Sequence, residues 1–175
     1  MFTVRIQTLA AGLIGVIAFC PVGQGWAQQK YKIQGSPTSR SQYLQEHAID
    51  VGDVSGHRVR VFEIRYDYPQ HDYILAGIPV NEVFSRCMSD YVNLSGPFTC
   101  YEVTSLEDGS QVYSRTTGTS QSDGAGGLTL VTVQNFTGGT GKFKGIRGQV
   151  NGSGSRAPGA KSLSLQTSGE YWILE

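Results

Sequence analysis

The chain has 175 residues, a length that favours one domain. Its formal net charge is zero and only 16% of its residues are charged, so it lacks the basic footprint of a nucleic-acid binder. Its 23 glycines exceed the usual share of about 7%. They are scattered rather than spaced in threes, which excludes collagen and fits short strands joined by tight turns.

Residues 1–27 have the layout of a secretory signal peptide. Arg5 supplies the positive start, Leu9 to Phe19 the apolar stretch, and Gly25-Trp26-Ala27 the small residues read by a signal peptidase. Cleavage after Ala27 starts the mature chain at Gln28. The apolar run is shorter than the ~20 residues a membrane span needs, and no later segment is more apolar. The expectation is therefore a secreted or periplasmic protein that is free of the membrane after cleavage. Cys20 leaves with the signal, so Cys87 and Cys100 remain. In an oxidising compartment they read as one disulfide, with two buried thiols as the alternative. Closing so short a loop is worth about 3 kcal/mol in the chain-entropy model.

Residues 28–55 open as a polar arm rich in Gln, Ser, Lys and Thr, and the stretch from Tyr43 to Val54 fits neither strand nor helix clearly. The domain proper is expected over 56–175. Arg58 to Tyr68 alternates with period two, placing Phe62, Ile64, Tyr66 and Tyr68 on one face and Val59, Val61, Glu63 and Arg65 on the other. Pro69 ends it. Tyr73 to Val80 reads as a strand with a bulge at Gly77, and Asn81 to Met88 as a short strand or a helical turn. Phe98 to Ser105 and Gln111 to Thr117 flank Asp108-Gly109, the strongest short hairpin signal. Leu128 to Phe136 is dense in β-branched residues. Strands over about Phe143 to Gly152 and Ser162 to Leu174 complete the chain. Seven or eight strands linked mostly by hairpins point to an all-β sandwich or closed barrel.

Familiar chemical motifs do not fit. Gly139-Thr140-Gly141 lies between strands, not at the helix start a dinucleotide site needs, and no phosphate loop follows Gly141-Lys142. No nucleophile elbow occurs in a strand-turn-helix context. His47, His57 and His71 are too widely spread for a metal set, and the cysteine spacing is not that of a zinc site. No metal and no organic cofactor is expected.

The run from Gly138 to Val150 is the most distinctive of the chain. Gly138, Gly139, Gly141, Gly145 and Gly148 mark a tight turn and a following strand in which side chains would clash or φ must be positive. The Gly-Gly-Thr-Gly start, with Phe143 two positions on and further glycine in the strand, resembles the late hairpin of the allene oxide cyclase-like and dirigent-like barrels. That resemblance extends over about Val59 to Trp172. It implies an eight-stranded antiparallel closed barrel, calycin-like, around an apolar cavity. It also implies cofactor-free chemistry where there is any, and a tendency to form homo-oligomers.

Two functions follow as expectations. One is a secreted barrel that binds a small apolar ligand or acts structurally, because barrels of this size hold one small ligand. The other is a cofactor-free cyclase or isomerase of the allene oxide cyclase-like type. The catalytic candidates for the second are Glu63 and Arg65. Inside an apolar cavity they would have to pair, or the glutamate would become a general acid or base. The competing arrangement turns Glu63 and Arg65 outward and buries Phe62, Ile64 and Tyr66, which the ordinary burial ranking favours. Tyr91, Tyr101, Glu102, Tyr113 and Arg115 are the ligand-binding candidates for a cavity rim.

Overall fold

The computed structural model describes residues 29–160 and 163–174. The signal-like segment 1–27 and its Cys20 lie outside them. Ten strands follow in chain order: β1 Lys30–Gly35, β2 Arg40–Asp50, β3 His57–Asp67, β4 Ile74–Leu75, β5 Ile78–Val92, β6 Gly96–Leu106, β7 Gln111–Ser122, β8 Leu128–Gly139, β9 Ile146–Arg156 and β10 Ser164–Ile173. The protein is all-β, with a single 3₁₀ turn at Gly141–Phe143 and no α-helix among the described residues.

The expected closed eight-stranded barrel is not what forms. The strands make one ten-stranded antiparallel sheet in the order β1-β10-β9-β8-β7-β6-β5-β3-β2, with β4 paired to β5 beside this path. Closure would require the two ends of that order, β1 and β2, to pair. Instead β1 pairs with β10, β2 pairs with β3, and residues 36–39 connect them. Pro37 in this connection has no N–H to give a ladder. The connection is tied down by Thr38, whose backbone N–H donates to Asp72 Oδ2 at 2.7 Å. The segment read as an arm thus supplies both edge strands. β2 escaped the sequence reading because its side chains are exposed almost throughout, so no face of it carries an apolar stripe.

Elsewhere the alternation holds, and the strands run longer than their apolar cores. β5 takes in the uncertain stretch Asn81 to Met88 and extends to Val92. A register shift between Val80 and Glu82 lets both Val80 and Val83 face inward despite their odd separation. Gly77 is not a bulge. With Ala76 it forms the tight turn between β4 and β5, both residues having positive φ. The Asp108-Gly109 turn forms where expected, with the Asp108 carboxylate accepting from the Ser110 N–H at 2.9 Å.

The sheet curls so that one face looks inward. One end of the interior is sealed by a plug of Leu75, Val80, Leu106, Val112, Phe143 and Ile146, all 2% exposed or less. Tyr171 from β10 completes it, stacked on Tyr31 with ring centroids 5.0 Å apart and edge-on to Phe136 at 5.7 Å. Its hydroxyl oxygen accepts from the Ala76 N–H at 2.6 Å, pinning the β4–β5 turn against the sheet. The glycine-rich run delivers Phe143 to the plug. Gly141, with φ of 55°, opens the 3₁₀ turn, and Gly148, with φ of 146°, lets β9 pass close to β10. A Cβ on Gly148 would collide with the Glu170 carbonyl oxygen and the backbone of Tyr171, whereas a Cβ on Gly138 would meet nothing closer than Tyr113 at 4.0 Å.

Gly148→Ala is therefore expected to cost about 1–3 kcal/mol, and Gly138→Ala to stay within about 0.5 kcal/mol, in urea unfolding monitored by tryptophan fluorescence. Tyr171→Phe leaves the Ala76 N–H without its acceptor. The same assay should show a loss of about 1–3 kcal/mol, with the cavity end of the sheet unaltered in hydrogen exchange.

Candidate functional site

Above the plug the inward face lines a cup-like cavity of about 480 Å³, within the ~300–1,000 Å³ range of small-molecule sites. β3 contributes Phe62, Ile64 and Tyr66 to its wall. β5 and β6 add Cys87, Cys100 and Phe98, and β8 adds Leu128, Leu130 and Thr132. Cys87 and Cys100 are directly opposed residues of neighbouring strands, joined as a disulfide with their Cα atoms 4.0 Å apart, and they pack with Phe62 and Ile64. Tyr66, Tyr68 and Tyr73 form the floor against the plug. Burial, reinforced by the Glu102 charge among other neighbours, pushes the pKa of all three tyrosines above the ordinary tyrosine value. Their hydroxyls are consequently neutral donors and acceptors at physiological pH.

The polar centre of the cavity is Glu102 on β6. Its Oε2 accepts from Ser114 Oγ at 3.0 Å, Thr116 Oγ1 at 2.9 Å and Gln134 Nε2 at 2.7 Å. Its Oε1 accepts from Ser85 Oγ at 3.1 Å. The geometry follows from register. Glu102 sits opposite Ser85 on one side and Ser114 on the other, and Thr116 lies opposite Gln134. Gln134 Nε2 also donates to Ser114 Oγ at 2.9 Å, closing the network. Neutral donors alone thus hold the carboxylate, and among the described residues no lysine, arginine or histidine forms an ion pair with it.

At the opposite end from the plug, Arg60 lies on the cavity wall. It pairs with Glu46 at 2.9 Å and covers the Phe62 ring at 4.9 Å. Beside this rim, His57 is held between two carboxylates, Nδ1 to Asp53 at 2.6 Å and Nε2 to Asp90 at 2.7 Å. Only the doubly protonated ring donates to both. These bonds, to Asp90 first and Asp53 second, raise the His57 pKa above 6.5, and the His57 bond lowers that of Asp53 below 3.8. Together they clamp the β2–β3 turn to the end of β5.

The sequence candidates divide by face. Glu102 and Tyr91 line the cavity. Tyr101, Tyr113 and Arg115 lie on the outer face, where the Arg115 guanidinium covers the Tyr101 ring at 5.8 Å and the Tyr113 hydroxyl donates to Gln111 Oε1 at 3.1 Å. Glu63 and Arg65 are also outward-facing. Glu63 pairs with Arg86 at 2.8 Å and accepts from Gln45 Nε2 at 3.1 Å, and Arg65 pairs with Asp67 at 3.1 Å. Phe62 and Ile64 take the interior in their place, so the Glu63/Arg65 pair does not reach the cavity and the isomerase reading loses the residues it was built on. Gly138 and Gly139 end β8, Gly141 to Gly145 form the turn, and Gly148 lies in β9, and none of them lines the cavity. The sequence reading missed Ser85, Ser114, Thr116 and Gln134. The inward alternation of β5, β7 and β8 was their only signal, and it does not reveal which polar positions meet.

Among the described residues no three His, Cys, Asp or Glu side chains converge as a metal site, and no helix is long and apolar enough to cross a membrane. No protein-family model, curated protein or solved structure matches the chain.

The paired shifts define a pH window for the clamp. The Asp53 contribution is present above about pH 3.8 and is lost as pH falls through its lowered pKa. The His57 contribution is complete below about pH 6.5 and is lost as pH rises through its raised pKa. NMR titration should give a His57 midpoint above 6.5 that drops in Asp90→Asn, and hydrogen exchange of the 51–57 turn should quicken above that midpoint.

Proposed function

We propose that this is a secreted or periplasmic binding protein that holds one small, largely apolar molecule inside its curled sheet. The observation that carries the reading is the cavity itself, with an aromatic and aliphatic lining around a small number of placed polar groups, the usual make-up of a small-molecule site. The floor tyrosines and the Glu102 network would fix the ligand's orientation, while Phe62, Phe98, Leu128 and Leu130 would take its apolar surface. The disulfide and the signal-like leader support an oxidising destination. A purely structural barrel-like module would have little use for a carboxylate kept open to an interior space.

Native mass spectrometry of the secreted, gently purified protein, followed by denaturing extraction, tests this. A co-purifying compound of a few hundred daltons is expected. Thr132→Trp, which fills the cavity from β8, should abolish the extra mass while leaving the far-UV circular dichroism unchanged. Bare-chain masses for both proteins, together with no uptake of an apolar fluorescent probe, would refute the binding reading and favour a structural role.

A further inference from the structure

We propose that the ligand of this cavity is a cation, an apolar or aromatic body bearing a protonated amine, with Glu102 as its counter-ion. The inference rests on the binding reading above and specifies its ligand class. Three features of the site point the same way.

First, the carboxylate has no cationic partner of its own. Its bonds come from three hydroxyls and one amide, and an ionised carboxylate is acceptor-only. The two oxygens are also unequally used. Oε2 takes three hydrogen bonds and Oε1 takes one, so Oε1 retains acceptor capacity for an N–H of a guest. Of the two carboxylates that line the cavity, Glu46 is paired with Arg60 and Glu102 has no cation.

Second, the cations that line the cavity lie at a different level. Arg60 stands opposite Ser89 on β5, four residues from Ser85, which lies opposite Glu102. That is roughly 13 Å along the strand, and Arg60 is already paired with Glu46. Arg156 stands opposite Leu128 on β8, six residues from Gln134, or roughly 20 Å. The depth of the cavity therefore carries negative charge, and the positive charge is confined to the rim.

Third, the surroundings of Glu102 are aromatic. Tyr66, Tyr68 and Tyr73 on the floor, with Phe62 and Phe98 on the wall, line the same space. Tyrosine is uncharged at neutral pH, and neutral aromatic rings attract ammonium groups. An anionic guest would meet the Glu102 charge with no cation beside it. A neutral guest would leave that charge uncompensated in a site from which it displaces water.

The test uses three probes of one shape, naphthylethylamine, naphthylethanol and naphthylacetate, titrated calorimetrically into the full mature protein at neutral pH. The amine should bind at least about tenfold more tightly than the alcohol, with the acid weakest, a ratio in line with one charge-assisted bond. Glu102→Gln should bring the amine down to the affinity of the alcohol while leaving the alcohol unchanged. Should that variant misfold, Glu102→Asp, which retracts the carboxylate, should reduce the amine preference without removing it. Equal affinity of amine and alcohol for the wild-type protein, or tighter binding of the acid, overturns the ammonium assignment and leaves the cavity reading standing. An amine preference undiminished in both variants overturns the role of Glu102. Failure of all three probes to bind, with Thr132→Trp indistinguishable from wild type, overturns the cavity reading itself.

Discussion

The structure depends on how an open sheet closes off one end of its interior. A nine-strand path curled without a ladder between its edges has no hydrogen-bonded ring to define an inside, so side chains must do so. The Tyr171 hydroxyl does this at the point of greatest leverage. It joins β10 to the β4–β5 turn, residues 95 positions apart, and its ring supports Tyr31 of the first edge strand. Leu75, on the short strand leading into that turn, and Phe143, brought in by the glycine-rich turn, complete the seal. With that end solid, the space beyond it becomes a cup, and the alternation of each longer strand decides what the cup is lined with.

The second constraint is polar. A carboxylate drawn inside must find donors, and Glu102 finds them on β5, β7 and β8, the first two flanking its own strand β6. A shift of one residue in either flanking ladder would turn Ser85 or Ser114 to the opposite face. The network and the cross-strand disulfide two residues away, at Cys100, therefore specify the same register by independent means. Rigid placement of the carboxylate is the result, as the recognition role proposed for it requires.

Much of this was legible in the sequence, unevenly. The alternation of Arg58–Tyr68, Phe98–Ser105 and Leu128–Phe136 located β3, β6 and β8, and Asp108-Gly109 located a hairpin, because these signals depend on neighbouring residues alone. The Cys87/Cys100 pair was likewise legible from number and compartment. Whether the sheet closes was not, since that is decided by pairing between segments far apart in the chain, and β1 and β2 carry little apolar pattern to betray them. Alternation also divides a strand into two faces without saying which is inside. Glu63 and Arg65 could be grouped with Val59 and Val61 yet not placed, and Tyr101 and Glu102, adjacent in sequence, went to opposite sides of the sheet. The Glu102 site needed strand register, which joins Ser85 from β5, Ser114 and Thr116 from β7 and Gln134 from β8.

The position of the disulfide has a chemical consequence. Cys87 and Cys100 are 2% and 6% exposed, and their sulfurs lie on the cavity wall, screened from the outer surface by the backbone of β5 and β6. A thiol reductant must approach them through the space a guest molecule would fill. Reduction of this cross-link is thus an event of the interior, and a molecule held there would shield it.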